Sequence, residues 1–277
     1  MQQALKALII TTLIVIFSAS SLSCATSYRN SQKKVIHRAA FVKIEKTFKV
    51  GVCIGDECNK LVEFDSTASG SIIKNRFDGS YILTAAHVCD SAQIMSFVES
   101  YFSDMQLDPK FEIKYKALFT IITIEGKEYP VNVVAKDNKN DICILWVEGC
   151  NKQALAISPK APVPGDRAYN IAAPLGIFYA GMAPLQEGLY DGEHKNRAFY
   201  SIPAIGGSSG SPIVNHKGEL IGMVHSTYRN FNHLSISPTY ADLISFIKSE
   251  TEKHISLHMI DIYMRNLVKY KDELEKD

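Results

Sequence analysis

Gly206–Pro212, with the sequence GGSSGSP, decides how the rest of the chain is interpreted. It places Ser209 on a turn of small residues, where the backbone can bend sharply and several N–H groups can point at one spot. A serine in this setting can attack a carbonyl group that approaches closely. Stretches rich in glycine and serine are usually ordinary turns, so the motif needs support from elsewhere in the chain.

Two upstream segments supply that support. His87 ends the segment LTAAH, and Asp141 begins the segment DICIL. A serine hydroxyl is a poor nucleophile near neutral pH and needs a base, for which histidine is suited. His87 is therefore the candidate base for Ser209, and Asp141 the candidate acceptor that orients its ring. The backbone N–H groups of Gly207 and Ser209 are the candidate donors to the oxyanion.

Composition bounds the function further. The chain has 277 residues, of which 46% are hydrophobic, and a net charge of +1 from 30 basic and 29 acidic side chains. This is an ordinary globular composition, and no overall basic field or zinc-finger spacing favours nucleic acid as a partner. No His or Cys pair has convincing ligand spacing within one element, so we predict no metal site. The chemistry of Ser209, His87 and Asp141 needs no cofactor, and none is predicted.

The N-terminus, residues 1–24, has the pattern of an export signal. Lys6 precedes the uncharged run Ala7–Leu22, and small residues follow it. Three alternatives remain: a cleaved signal peptide, a retained membrane anchor, or lipidation at Cys24, since Ser21–Cys24 resembles a bacterial lipoprotein processing site. Each places the following domain outside the cytoplasm, secreted or periplasmic, and the last two tether it to a membrane. Residues 25–44 are interpreted as a basic linker.

Six cysteines occur in the sequence. Cys53 and Cys58 flank a four-residue turn, which favours a disulfide across a hairpin. Cys143 lies among apolar residues and is interpreted as a small buried hydrophobe. The pairing of Cys89, Cys143 and Cys150 stays open.

Short apolar runs separated by turn signals indicate an all-β sandwich or barrel. They fall into two β units, with His87 and Asp141 in the first and Ser209 in the second. A helical pattern follows at the C-terminus, and we expect this helix to dock on the second unit. The predicted strands are Phe48–Cys53, Leu61–Phe64, Gly70–Lys74, Tyr81–Thr84, Lys116–Ile124, Val131–Ala135, Ile142–Val147, Ala168–Ala172, Phe199–Ile202, Ser211–Asn215 and Leu220–His225.

These motifs together resemble a trypsin-like serine protease of the chymotrypsin fold. The matching pieces run in family order over roughly residues 45–250, and they are most similar to bacterial HtrA/Deg-type and glutamyl-endopeptidase-like members. The pieces are Ala68–Ile73, Leu83–Val88, Asp141–Leu145, Pro164–Asp166, Pro174–Gly176, Gly207–Pro212, Gly218–Gly222 and Leu234–Pro238.

The resemblance implies two six-stranded antiparallel β-barrels, at about residues 45–148 and 149–238, within a protease domain of residues 45–250. A C-terminal amphipathic helix, residues 251–277, completes the expected organisation, without a PDZ domain. By position the resemblance makes His87, Asp141 and Ser209 the triad of a serine endopeptidase that forms an acyl-enzyme. It makes Gly207 and Ser209 the oxyanion hole.

The substrate-binding residues are less determined. Pro203 stands six residues before Ser209, where family members that cleave after Lys or Arg carry an acid, so a preference for basic residues is unsupported. His225 is a candidate to line the specificity pocket, and an extended peptide is expected to pair with the backbone around Val224–Ser226, including Ser226. The alternative function is a catalytically silent peptide-binding protein on the same scaffold. The oligomeric state stays open.

Overall fold

A computed structural model describes residues 38–54, 57–90, 112–228 and 231–274, together with Ser96 and Ser100. The predicted export signal, Cys24 and the predicted linker up to residue 37 lie outside the described residues. Within them, most regular structure consists of antiparallel strands in two separate sheets that curl into half-barrels, and a long helix follows at the C-terminal end. The all-β prediction is confirmed.

The first sheet has the strand order β5-β4-β1-β2-β3-β7-β6. Two of its strands are buried on both faces: β3 is buried throughout, and β7 is buried from Ile142 to Val147, as its continuous apolar run predicts. Its strands are β1 (Phe41–Ile54), β2 (Glu57–Arg76), β3 (Gly79–Thr84), β4 (Glu112–Thr123), β5 (Glu128–Pro130), β6 (Asn132–Asp137) and β7 (Ile142–Glu148).

The second sheet has the order β12-β11-β8-β9-β10-β14-β13. Tyr200, Ile202 and Ile213 are fully buried in its core. Its strands are β8 (Arg167–Ile171), β9 (Leu185–His194), β10 (Arg197–Tyr200), β11 (Pro212–Val214), β12 (Leu220–Met223), β13 (Ser226–Tyr228) and β14 (Phe231–Pro238).

The strand inventory differs from the sequence-based one in several respects. The ten-residue strand β9 and the eight-residue strand β14 match no strand predicted from the sequence. Each sheet has seven strands among the described residues instead of six, because the three-residue strands β5 and β13 extend one end of each sheet. The predicted strands Leu61–Phe64 and Gly70–Lys74 are parts of the single strand β2, which pairs with β1 from Glu57 to Ser71 and with β3 from Ser71 to Arg76. Because β1 begins at Phe41, the last four residues of the predicted linker belong to the sheet.

Short helical segments complete the fold. The four-residue helix α1 (Ala86–Cys89) follows β3, and single 3-10 turns occupy Arg38–Ala40 and Pro174–Gly176. The helix α2 (Tyr240–Leu274) is continuous, so it starts well before residue 251.

The start of α2 is fixed by a reciprocal cap. The Asp242 backbone N–H donates to Thr239 Oγ1 (3.1 Å), and the Thr239 hydroxyl donates to the Asp242 carboxylate (2.8 Å). Farther along the helix, the ring of His254 contacts Tyr81 and Trp146 of the first sheet. The expectation that this helix docks on the second unit is therefore incomplete, because its middle packs on the first.

Candidate active site

His87 lies on α1, directly after β3. Ala85 and Ala86 before it are buried, and these small residues let the chain turn from the strand into the helix against the core. The His87 side chain remains 43% exposed. The segment therefore anchors its backbone in the core and presents the imidazole to solvent.

Asp141 stands at the head of β7 in the left-handed region of the Ramachandran plot, with φ of 58°. Aspartate tolerates this conformation better than most residues. The preceding turn is held by Asp137, whose carboxylate accepts bonds from the N–H groups of Lys139 (2.9 Å) and Asn140 (3.2 Å). The turn thus fixes the direction in which the Asp141 carboxylate leaves the strand.

The Asp141 carboxylate accepts two hydrogen bonds from His87. The His87 backbone N–H donates to Oδ1 and the ring Nδ1 donates to Oδ2, both at 2.9 Å. Because a carboxylate only accepts, the ring proton resides on Nδ1, and the lone pair of Nε2 is left available to accept another proton.

Asp141 is stabilised as an anion. Burial would raise the pKa of its carboxyl, but hydrogen bonds from the His225 ring, the His87 ring and the His87 backbone outweigh burial and hold the pKa well below its usual range. Asp141 is therefore ionised throughout the neutral range.

Ser209 lies on the turn before β11, and two glycines flank it in the left-handed region: Gly207 with φ of 92° and Gly210 with φ of 84°. A Cβ at Gly207 would overlap the Ala173 carbonyl, and one at Gly210 would overlap Thr84 and the Ser69 carbonyl. Conformation and space thus both require glycine at these two positions.

Ser69 of β2 connects this turn to the first sheet. Its hydroxyl donates to Gly207 O (2.8 Å) and accepts from the Ala173 N–H (2.9 Å), while its own N–H donates to Ser209 O (2.8 Å). Ser69 had no predicted role, although it belongs to the segment Ala68–Ile73 that carries the family resemblance. Through these hydrogen bonds, Ser69 holds the serine turn against β2.

The structure brings His87, Asp141 and Ser209 to one open cleft of about 490 Å³. First-sheet residues form its walls, and Ser209 joins them from the second sheet. The lining residues are Ile44, Lys46, Ser66, Thr67, Ala68, Ala86, His87, Val88, Asp90, Asn138, Asp141 and Ser209.

The residues predicted to bind substrate lie elsewhere in the second sheet. Pro203 is half-buried before the serine turn, Val224 is buried, and Ser226 begins β13. His225 is only 9% exposed, and its ring faces Asp141 instead of the cleft described above. The signal for His225 was its position after β12, but sequence could not give the direction of its ring.

The structure joins Cys53 to Cys58 across the β1–β2 hairpin, and Cys89 to Cys143. Cys143 is buried, as its apolar neighbours indicated, but it is also bonded to a cysteine from α1. Cys150 is a free, buried thiol. Since Cys89 lies two residues after His87 and Cys143 two residues after Asp141, the second disulfide ties together the segments that carry this pair.

Replacing Cys89 and Cys143 together by alanine is expected to lower the free energy of unfolding by about 4 kcal/mol, from the entropy of closing a 54-residue loop. The Cys53–Cys58 disulfide closes a loop of only 5 residues. The matched double replacement of these two cysteines by alanine should therefore lower the free energy of unfolding by about 2 kcal/mol. Urea denaturation of both variants measures the difference. Equal losses would contradict a dominant role for loop length.

Among the described residues, no group of three or more His, Cys, Asp or Glu side chains is placed to hold a metal ion. Within the same part of the chain, no helix is both long enough and apolar enough to cross a membrane.

Comparison with known proteins decides the family. Residues 68–223, more than half of the chain, match the family model of the trypsin-like peptidase domain. The chain belongs to this family. The matched residues include His87, Asp141 and Ser209. The family resemblance inferred from the sequence motifs is confirmed.

A solved structure supports the fold. The chain is similar to the serine endoprotease from Yersinia pestis, with a TM-score of 0.57 and 18% identity. The match covers 80% of this chain and 65% of that one, so the peptidase chain spans less than two thirds of the relative's length. No curated protein matches the sequence. The likeness bears out the chymotrypsin-type arrangement of two β units.

Proposed function

We propose that the chain is a serine endopeptidase that cleaves peptide bonds through Ser209, His87 and Asp141. One observation carries the proposal: the His87 ring is held by Asp141 with its proton on Nδ1, in the cleft that Ser209 also lines. This is the arrangement that a serine nucleophile requires, because the base must present an unprotonated nitrogen.

In the proposed reaction His87 Nε2 takes the proton of the Ser209 hydroxyl as Oγ attacks the peptide carbonyl carbon. Asp141 stabilises the imidazolium that forms. The imidazolium then gives its proton to the leaving amine, the C–N bond breaks, and an ester joins Ser209 to the acyl half of the substrate. Water, activated by the same histidine, hydrolyses this ester and regenerates the serine.

The geometry of the serine turn supports two backbone N–H groups as the oxyanion donors. Gly206 O accepts from Leu175 N (2.7 Å), and Ser208 O accepts from Ser211 N (3.0 Å). In a trans peptide the N–H points opposite to the C=O, so the N–H groups of Gly207 and Ser209 point away from these partners. We assign both N–H groups to the oxyanion, where a donor contributes about 3 kcal/mol to transition-state stabilisation.

The acyl half of the substrate would pair with the second sheet. β13 is the last strand in the order of that sheet, so one of its edges has no neighbouring strand among those described. An extended peptide added there would run past Val224–Ser226 toward Ser209. Pro203 gives no carboxylate to a basic side chain, so we propose no preference for Lys or Arg.

We place the enzyme outside the cytoplasm. Two disulfides suit an oxidising compartment, and residues 1–24 have the pattern of an export signal. Lipidation of Cys24 or retention of the N-terminal apolar run would tether the enzyme to a membrane, and plain cleavage of the signal would leave it secreted or free in the periplasm.

A fluorophosphonate probe tests the proposal because it reacts with an activated serine. We expect stoichiometric labelling of Ser209, located by peptide mass analysis, and labelling slowed at least about 100-fold in His87→Ala, the lower range for loss of a general base. His216→Ala, which changes an exposed histidine in the β11–β12 turn, is the matched control and should label like the wild type.

Equal labelling of the wild type and His87→Ala would refute the proposed base. Stoichiometric peptide binding without labelling or cleavage would instead favour the silent binding protein.

A further inference from the structure

The Asp141 carboxylate lies between two histidines. His87 Nδ1 contacts Oδ2 at 2.9 Å from the cleft side, and His225 Nδ1 lies 3.4 Å from the same oxygen on the buried side. The His225 side chain is 9% exposed, and its backbone N–H donates to Ile236 O (3.0 Å), which holds the residue against the neighbouring strand β14. Its position is therefore set by the second sheet, while Asp141 belongs to the first.

The proton on the His225 ring can be located from a third residue. Arg197 Nη1 lies 3.4 Å from His225 Nε2. A guanidinium only donates hydrogen bonds, so Nε2 must accept and the ring proton must reside on Nδ1. That proton points at Asp141 Oδ2, which makes His225 a donor to the carboxylate.

Arg197 reaches across to the first sheet as well. Its Nη2 donates to the carbonyl of Lys139 (3.3 Å), two residues before Asp141 in the turn that leads into β7. The guanidinium thus contacts both the histidine and the turn that carries the carboxylate. These contacts of Arg197 and His225 are longer than the 2.9 Å hydrogen bond between His87 and Asp141. Asp141 Oδ2 accepts from both histidine rings, so its acceptor capacity is divided between them.

We propose that His225 is a positioning residue for Asp141, and that Arg197 holds His225 in the tautomer that can donate. The proposal rests on the proposed function, since Asp141 matters only if His87 acts as the base. His225 then occupies the side of the carboxylate that His87 leaves open. The carboxylate receives donors from the His87 backbone, the His87 ring and the His225 ring, which limits its rotation about χ2.

Loss of the donor has two consequences. The carboxylate becomes freer to turn away from His87, which lowers the fraction of molecules with the base correctly oriented. In those that remain aligned, the negative charge is less neutralised by a competing donor and stabilises the His87 imidazolium more strongly. The first effect lowers kcat, and the second moves the acid limb of the pH–rate profile to higher pH.

Four variants of the full chain separate these effects. His225→Leu removes the donor, and His225→Asn restores an N–H near the position of Nδ1. Arg197→Met keeps the ring but frees its tautomer. His216→Leu is the matched control in the exposed β11–β12 turn. Each is assayed for peptide cleavage and fluorophosphonate labelling between pH 5 and 9, with thermal unfolding recorded to confirm the fold.

We expect His225→Leu to lower kcat about 10- to 100-fold, the range for loss of a hydrogen bond to a charged group, with KM little changed. Its acid limb should move to higher pH. His225→Asn should recover most of the rate and the wild-type acid limb. Arg197→Met should shift kcat and the acid limb in the same direction as His225→Leu but less far. His216→Leu should match the wild type.

Two results would overturn the proposal and leave the function standing: wild-type kcat and pH profile in His225→Leu, or an equal loss in His225→Leu and His225→Asn. If His225→Leu does not fold, an unchanged kcat and pH profile in folded Arg197→Met would overturn the assigned role of Arg197 and its tautomer control. A wild-type protein that neither labels at Ser209 nor cleaves peptides would overturn the proposed function and this inference with it.

Discussion

Ser209→Ala is expected to lower kcat for peptide cleavage by about 10⁶-fold, the scale found when the nucleophile of a serine-based triad is removed. Without Oγ no acyl-enzyme can form, and the oxyanion donors and substrate contacts supply only the residual rate. The fold should persist, because the contacts that hold the turn use the backbone of Ser209 and the side chain of Ser69. Burst kinetics of the purified variant measure the loss of acyl-enzyme formation and of kcat, and thermal unfolding measures whether the fold persists.

Ser208→Ala is the matched control, since it deletes the same atom one residue earlier. The Ser208 side chain is buried, and its Oγ accepts a bond from Ile205 N at 3.4 Å. Its loss should cost about 1 kcal/mol of stability and leave cleavage within about tenfold of the wild type. Cleavage at the wild-type rate by Ser209→Ala would refute Ser209 as the nucleophile.

Much of the fold could be predicted because its signals are local. The apolar run of β7 and the turn residues between strands mark elements without reference to distant contacts. Strand β2 shows where such signals fail. Small residues between Ser66 and Gly70 interrupt the apolar pattern, so the sequence suggested two strands, yet Ser69 and Gly70 continue one strand that packs on the serine turn.

The site divides along the same line. The three proposed catalytic residues could be identified because each sits in a distinctive local segment. Other features depend on contacts between segments that are distant in sequence. These are the ring direction of His225, the partner of Cys143 and the contacts of Arg197. Arg197 lies in the short strand β10, and its neighbours in sequence do not indicate that it contacts His225 or the turn at Lys139.

Asp141→Asn is expected to lower kcat about 10⁴-fold near neutral pH, the effect known for the equivalent change in a serine-based triad. Asp141 receives three donors: the His87 N–H, His87 Nδ1 and His225 Nδ1. An amide has one acceptor oxygen and one donor nitrogen, so it must turn an N–H toward at least one of them. If it faces His87, the ring proton moves to Nε2, and no lone pair remains to accept the proton of Ser209.

The same substitution has a distinct signature in stability. The pKa of Asp141 is lower in the folded protein than its ordinary value of 3.8, so its contribution to stability is present above that value and is lost as the pH falls through the folded pKa. Asp141→Asn should therefore be less stable than the wild type at pH 7, and the gap should narrow in acid. Asp166→Asn, in a turn of the second sheet, is the control for a generic loss of charge. A gap between wild type and Asp141→Asn that stays constant from pH 7 to pH 2 in urea denaturation would show that the three donors do not stabilise the anion.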